Sequence, residues 1–170
     1  MAAAALVVGG GSPLGRAVVA RLAAVTRVAI GEVDPGDLAP ALAEADRVRL
    51  LYGRDDLPAL VVAEDPAGLV RSARRLLPSG FGVVLVTPPP SLRVDAIAEA
   101  TAPDTPLVLV ERGHRAETVR RSLGDGRTLW TVATAVPGWD GTRGSTASEV
   151  HVARTVRDLL FPAPDLSLAS

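Results

Sequence analysis

Apolar and polar positions alternate along this chain in blocks rather than residue by residue. Short runs that are apolar on every position are separated by stretches whose apolar positions recur at helical spacing. Residues 4–8 (AALVV) predict a strand and 13–24 a helix, with Pro13 in the first turn, where its missing N–H costs little. Residues 27–33 predict a second strand, 37–45 a short helix and 47–52 (RVRLLY) a third strand. One or two helices are expected within 57–77, a fourth strand at 82–87, a helix at 91–100 and a fifth strand at 106–111. A helix at 115–123 with arginines on its wet face, a sixth strand at 128–136 and a last helix at 147–160 complete the pattern.

Strands apolar on both faces and separated by helices imply a parallel sheet covered on both sides. The expected fold class is therefore α/β: a single-domain, Rossmann-like, doubly wound parallel sheet of about six strands with helices on both faces. Neither a composition break nor a repeat divides the chain. Residues 1–161 read as one dinucleotide-binding type of domain and 162–170 as a flexible tail.

Composition narrows the classes. The chain has 170 residues, 48% hydrophobic but only 3% aromatic, so its core is built from Ala, Val and Leu. Net charge is −1, and all 18 basic residues are arginine, spread along the chain with few aromatics to stack bases; nucleic acid is not an expected partner. Without cysteine there is no disulfide or thiolate-bound metal, and two histidines with scattered carboxylates form no metal pattern, so no metal is expected. No apolar run is long enough to span a membrane, and the apolar start lacks a basic leader, so a cytoplasmic protein is expected.

The first strand runs into GGGSPLG, spaced Gly9-x-x-Ser12-x-x-Gly15. In a dinucleotide site the first glycine permits the tight turn, the middle position lets backbone approach the pyrophosphate, and the last lets helix pack on sheet. The helix N-terminus then offers N–H groups to phosphate. Ser12 holds the middle position, flanked by Gly10 and Gly11, where it would crowd a phosphate or donate to it. Glu32, at the end of the second strand and 17 residues after Gly15, would accept from a ribose 2′-hydroxyl and favours NAD over NADP. Asp34 could substitute for it. The alternative is a tight turn with no ligand, followed by a polar turn, EVDPGD.

These stretches resemble the short-chain dehydrogenase/reductase superfamily, especially its extended or atypical epimerase-like and NmrA-like branches. VVGGGSPLGRAVVARLA is similar to that family's opening strand, glycine loop and helix, and RVAIGEVDP to its second strand with the acid. GVVLVTPPP resembles the fourth strand, VATAVPGWDGT the sixth strand with its Pro-Gly turn, and HVARTVRDLL the helix after it. The resemblance implies a cofactor site of Gly9, Gly11, Ser12, Leu14, Gly15, Glu32, Thr87, Pro137 and Gly138. It also implies a catalytic Ser after the fifth strand and a Tyr-x-x-x-Lys on the next helix, and here the chain departs. Glu111 and Arg112 stand where Ser is expected, Tyr52 is the only tyrosine and is expected on the third strand, and there is no lysine. Arg115 falls near the lysine's place, but a guanidinium stays charged and cannot replace the tyrosine. Carbonyl reduction by that machinery is excluded.

Three functions follow. One is a non-catalytic or partner-dependent subunit, a pseudoenzyme able to bind a dinucleotide and assembling as a homo- or hetero-oligomer through the helices expected near 91–101 and 115–123. Another is an unconventional isomerase, cyclase or dehydratase, with Glu111 orienting His114 as a general base at the mouth of a helix; the same two residues could equally be a surface capping pair. The third is a dinucleotide sensor. His151 is expected to be a half-buried structural residue, and Trp139 to cover either a ligand or the edge of the core.

Overall fold

A computed structural model describes residues 4–53, 55, 58–63, 65–87, 92–112, 117–123, 126–134 and 146–162. Seven strands form one sheet: β1 (Ala4–Val8), β2 (Arg27–Glu32), β3 (Ala59–Val62), β4 (Gly82–Val86), β5 (Leu107–Arg112), β6 (Glu117–Ser122) and β7 (Thr128–Thr134). The helices are α1 (Pro13–Ala23), α2 (Leu38–Tyr52), α3 (Pro66–Leu76), α4 (Val94–Ala100) and α5 (Thr146–Leu160), with a 3-10 turn at Pro35–Asp37. The strand order is β3-β2-β1-β4-β5-β7-β6. Pairing is parallel throughout except between β6 and β7, which are antiparallel. The class is the expected doubly wound α/β sheet, with seven strands in place of about six.

The continuous apolar runs are explained by two cores, one on each face of the sheet. Ala5, Val7, Val28, Ile30, Val84, Val86, Val108 and Val110 pack under α1, α2 and α5. Their neighbours in sequence, Ala4, Leu6, Val8, Ala29, Val83, Leu85 and Leu107, pack under α3 and α4. Each central strand thus spends alternate residues on opposite cores.

Two segments differ from expectation. Residues 47–52, expected as the third strand, form the last part of α2. Buried Ala41, Ala45 and Val48 recur at helical spacing, while Leu50 and Leu51 are 86% and 58% exposed. Arg47 pairs with Glu44 at 2.6 Å and Arg49 with Asp46 at 3.0 Å, both three residues apart on one helical face. Gly53 ends the helix with φ +62. The third strand is Ala59–Val62, inside the segment expected to be helical.

The helix expected at 115–123 is instead strand β6, the antiparallel edge of the sheet. A hairpin closes it: Leu123 N donates to Arg127 O at 2.8 Å, and Gly126 has φ +74, which favours glycine. Arg120 lies 5.8 Å from the centre of the Trp130 ring across the strand pair.

Candidate functional site

The strand order reverses between β1 and β4, which opens a crevice at the carboxyl ends of those strands, where doubly wound sheets place ligands. β1 ends there in the glycine loop and β4 in Thr87. Gly9 has φ +80, and a side chain on it would strike the Val86 carbonyl of β4. Gly10 packs on Ile30 and Val19; a Cβ there would lie 2.6 Å from the Ile30 Cγ2. At Gly11 it would lie 2.6 Å from the Asp37 carbonyl, at the start of α2. At Gly15 it would overlap the Gly9 carbonyl and lie 2.8 Å from the Gly10 Cα. The loop is therefore closed on three sides by backbone.

Ser12 holds it shut. Its hydroxyl donates to Gly9 O at 2.9 Å and accepts from Gly15 N at 3.0 Å, which makes it the N-cap of α1. Arg16 N donates to Ser12 O at 2.8 Å. Pro13 follows in the first turn. The Leu14 side chain is buried in the core, so a role toward a ligand falls to its backbone.

Glu32 ends β2 beneath this loop with 2% exposure. Its Oε1 accepts from Gly11 N at 2.9 Å. Burial pushes its carboxyl up to about 7, and the nearby carboxylates of Asp37 and Asp34 push the same way, against the pull of the Gly11 and Gly10 N–H groups. Asp34 is exposed and caps the 3-10 turn by accepting from Gly36 N at 2.8 Å. Three carboxyl groups thus gather at the β2 end of the crevice.

Thr87 lies at the other wall. It is exposed, and its N donates to Val110 O at 2.8 Å. Its φ of +40 makes it the single non-glycine residue of positive φ among the described residues. A β-branched residue held there stores strain of about 1–3 kcal/mol, a cost that concentrates at ligand sites.

The sequence-derived residues divide accordingly. Gly9, Gly11, Ser12, Gly15 and Glu32 come together around one turn, with Thr87 just past the end of the adjoining strand β4. Pro137, Gly138 and Trp139 lie outside the described residues, as does His114. Glu111 is half-buried in β5, opposite Ala133 of β7. The helix that His114 was expected to open does not follow it, since β6 occupies residues 117–122. Tyr52 is not on a strand: it ends α2, and its hydroxyl donates to Ala20 O at 2.9 Å. Because the start of α2 touches Gly11 and the helix has 15 residues, Tyr52 lies about 20 Å from the loop along the axis. His151 is exposed on α5, not half-buried. Sequence reasoning missed Asp37 and the Val86 carbonyl. The D-P-G-D spacing of 34–37, an acid before Pro at a helical start, was the available signal for the first; nothing local marks the second.

Among the described residues no helix is long and apolar enough to cross a membrane, and no three His, Asp or Glu side chains are placed to hold a metal ion. No family model matches the chain. No curated protein matches it either. Solved structures do. A metagenomic short-chain oxidoreductase in complex with NADP superposes with a TM-score of 0.55 at 12% identity, over 92% of this chain and 89% of that one. Hydroxysteroid dehydrogenase from Escherichia coli gives 0.47 at 13% identity, over 64% of this chain and 56% of that one. A short chain oxidoreductase from Pseudomonas aeruginosa, described as containing an atypical catalytic center, gives 0.45 at 22% identity, over 65% and 53%. The chain spans little more than half the length of the last two. The fold is that of the short-chain dehydrogenases/reductases, carried by the first superposition.

Proposed function

We propose that this chain binds a nicotinamide dinucleotide, NAD in preference to NADP, and acts as a non-catalytic or partner-dependent subunit. The observation that carries the reading is the loop itself: a turn closed so tightly on Val86, Asp37 and its own backbone that side chains are barred at Gly9, Gly11 and Gly15, with an acid anchored beneath it. The residues fit the adenosine half of the cofactor. The Gly9–Ser12 turn and the start of α1 would face the pyrophosphate, and Glu32 the adenosine ribose, with Thr87 bordering the crevice. Pro137 and Gly138 remain the proposed neighbours of the nicotinamide. The metagenomic fold relative was solved with NADP, which supports the ligand class.

Preference for NAD rests on charge. A 2′-phosphate would enter beside Asp34 and Asp37, and beside Glu32 wherever its carboxyl is ionised, so like charges repel. A bound nicotinamide supplies hydride transfer. This chain offers no Tyr–Lys pair to move the accompanying proton, because it has no lysine and its one tyrosine is engaged at the far end of α2.

Calorimetric titration tests the reading. NAD is expected to bind and NADP to bind at least about tenfold more weakly, a difference of about 1.4 kcal/mol. Asp34→Arg, which replaces an exposed carboxylate by a cation, is expected to narrow that gap. Binding of neither dinucleotide would overturn the assignment.

A further inference from the structure

β6 is the exposed edge of the sheet. Five of its six residues are exposed and Val119 is half-buried, and β7 is its one neighbouring strand among the described residues. A strand open along its edge and on both faces is a template for another strand. The bond from Leu123 N to Arg127 O fixes its orientation. Backbone groups of odd-numbered residues turn toward β7, so those of Thr118, Arg120 and Ser122 turn outward.

The side chains are arranged for one particular partner. Glu117, Val119 and Arg121 share a sheet face, the face that carries Leu129, because they lie opposite Ala133, Thr131 and Leu129 of β7. Negative, apolar and positive side chains are therefore spaced symmetrically about Val119. We infer that β6 is the pairing site for a second copy of this chain, joined antiparallel across a twofold axis at Val119, with Glu117 of each copy facing Arg121 of the other.

The backbone permits this register. Thr118 and Arg120, the outward-facing residues, become the hydrogen-bonded pairs. Val119 with its counterpart, and Glu117 with Arg121, become the non-hydrogen-bonded pairs, in which Cα atoms approach to about 4.5 Å and side chains meet most closely. Shifting the pairing by two residues one way sets Arg120 against Arg120. Shifting it the other way sets Glu117 against Val119. Charge thus selects the Val119-centred register, and the twofold makes each favourable pair occur twice. The result is a continuous fourteen-stranded sheet, seven strands from each copy. A six-residue strand pair lies at the small end of specific interfaces, so the dimer is expected to be micromolar and weakened by salt.

Sedimentation velocity on the full chain from about 1 to 100 µM tests this, a range that brackets micromolar association. The unmodified protein is expected to pass from monomer to dimer. Thr118→Pro removes an outward N–H without touching the β6–β7 ladder, and is expected to weaken the dimer at least about tenfold while leaving the circular-dichroism melt unchanged. Glu117→Arg and Arg121→Glu each place like charges across the axis and are expected to be monomeric alone. Mixed in equal amounts they are expected to form a heterodimer, and the double exchange in one chain is expected to restore the homodimer. A monomer throughout the range, or a dimer of undiminished affinity in Thr118→Pro, would overturn the interface. Failure of the mixed variants to associate would overturn the register.

Discussion

Gly15→Val is expected to abolish dinucleotide binding and to cost about 3 kcal/mol or more of stability. Local propensity points the other way. Glycine inside a helix is less favourable than alanine by about 1 kcal/mol, so the exchange of a glycine in α1 for a residue with a side chain would stabilise an isolated helix. The tertiary contact decides. A Cβ at Gly15 would overlap the Gly9 carbonyl and press on the Gly10 Cα, and both are backbone atoms of a turn already held by Ser12. Neither can move without displacing β1 or α1, whose buried residues Val7, Val8, Leu14, Val18 and Val19 are packed tightly around them. Thermal unfolding reads the first effect and calorimetry with NAD the second. A variant with unchanged melting temperature and unchanged NAD affinity would mean that the close approach of α1 to the loop is not what holds the site.

That loop was the most legible part of the chain, because its glycines, N-cap serine and N1 proline are all local features of sequence. The parallel core was legible for a related reason. Strands buried on both faces must be apolar at every position, and β1 and β4 are. The errors arose where that rule does not hold. RVRLLY has a strand's composition, yet Leu50 and Leu51 are left in water at the end of α2, so their apolarity carried no information about the core. β6 is polar because it is an edge exposed on both faces, and its arginines imitate the wet side of a helix. Asp125-Gly126, between the two strands, was the available hairpin signal. Within the site, the acid at the end of β2 could be read from spacing. Its burial beneath Gly11 could not, since that depends on where α2 starts. The left-handed backbone of Thr87 is likewise set by neighbouring strands, and nothing in threonine announces it.

Glu32 should make the stability of the protein fall as pH rises from 4.5 to about 7. Its carboxyl titrates at about 7 when folded, against an ordinary value of 4.5, because burial disfavours the charged form. Between those values the folded chain keeps a proton that the unfolded chain has lost. The group's contribution is therefore complete below 4.5, declines through the window and is gone above 7. The interval corresponds to at most about 3 kcal/mol. Glu32→Gln keeps an oxygen for Gly11 N and cannot ionise, so the stability of the natural chain relative to this variant is expected to drop across the window, measured by denaturant unfolding at several pH values. A flat difference would mean that the carboxyl is not held protonated. The same balance reaches the ligand. A ribose hydroxyl donating to Glu32 favours its ionised form, so NAD binding near pH 6 is expected to expel a proton and to tighten as pH rises toward 7. Binding enthalpies measured in buffers of different ionisation enthalpy would then diverge at pH 6 and converge above pH 8. Enthalpies independent of buffer at pH 6 would place the ribose away from Glu32, whatever the affinity.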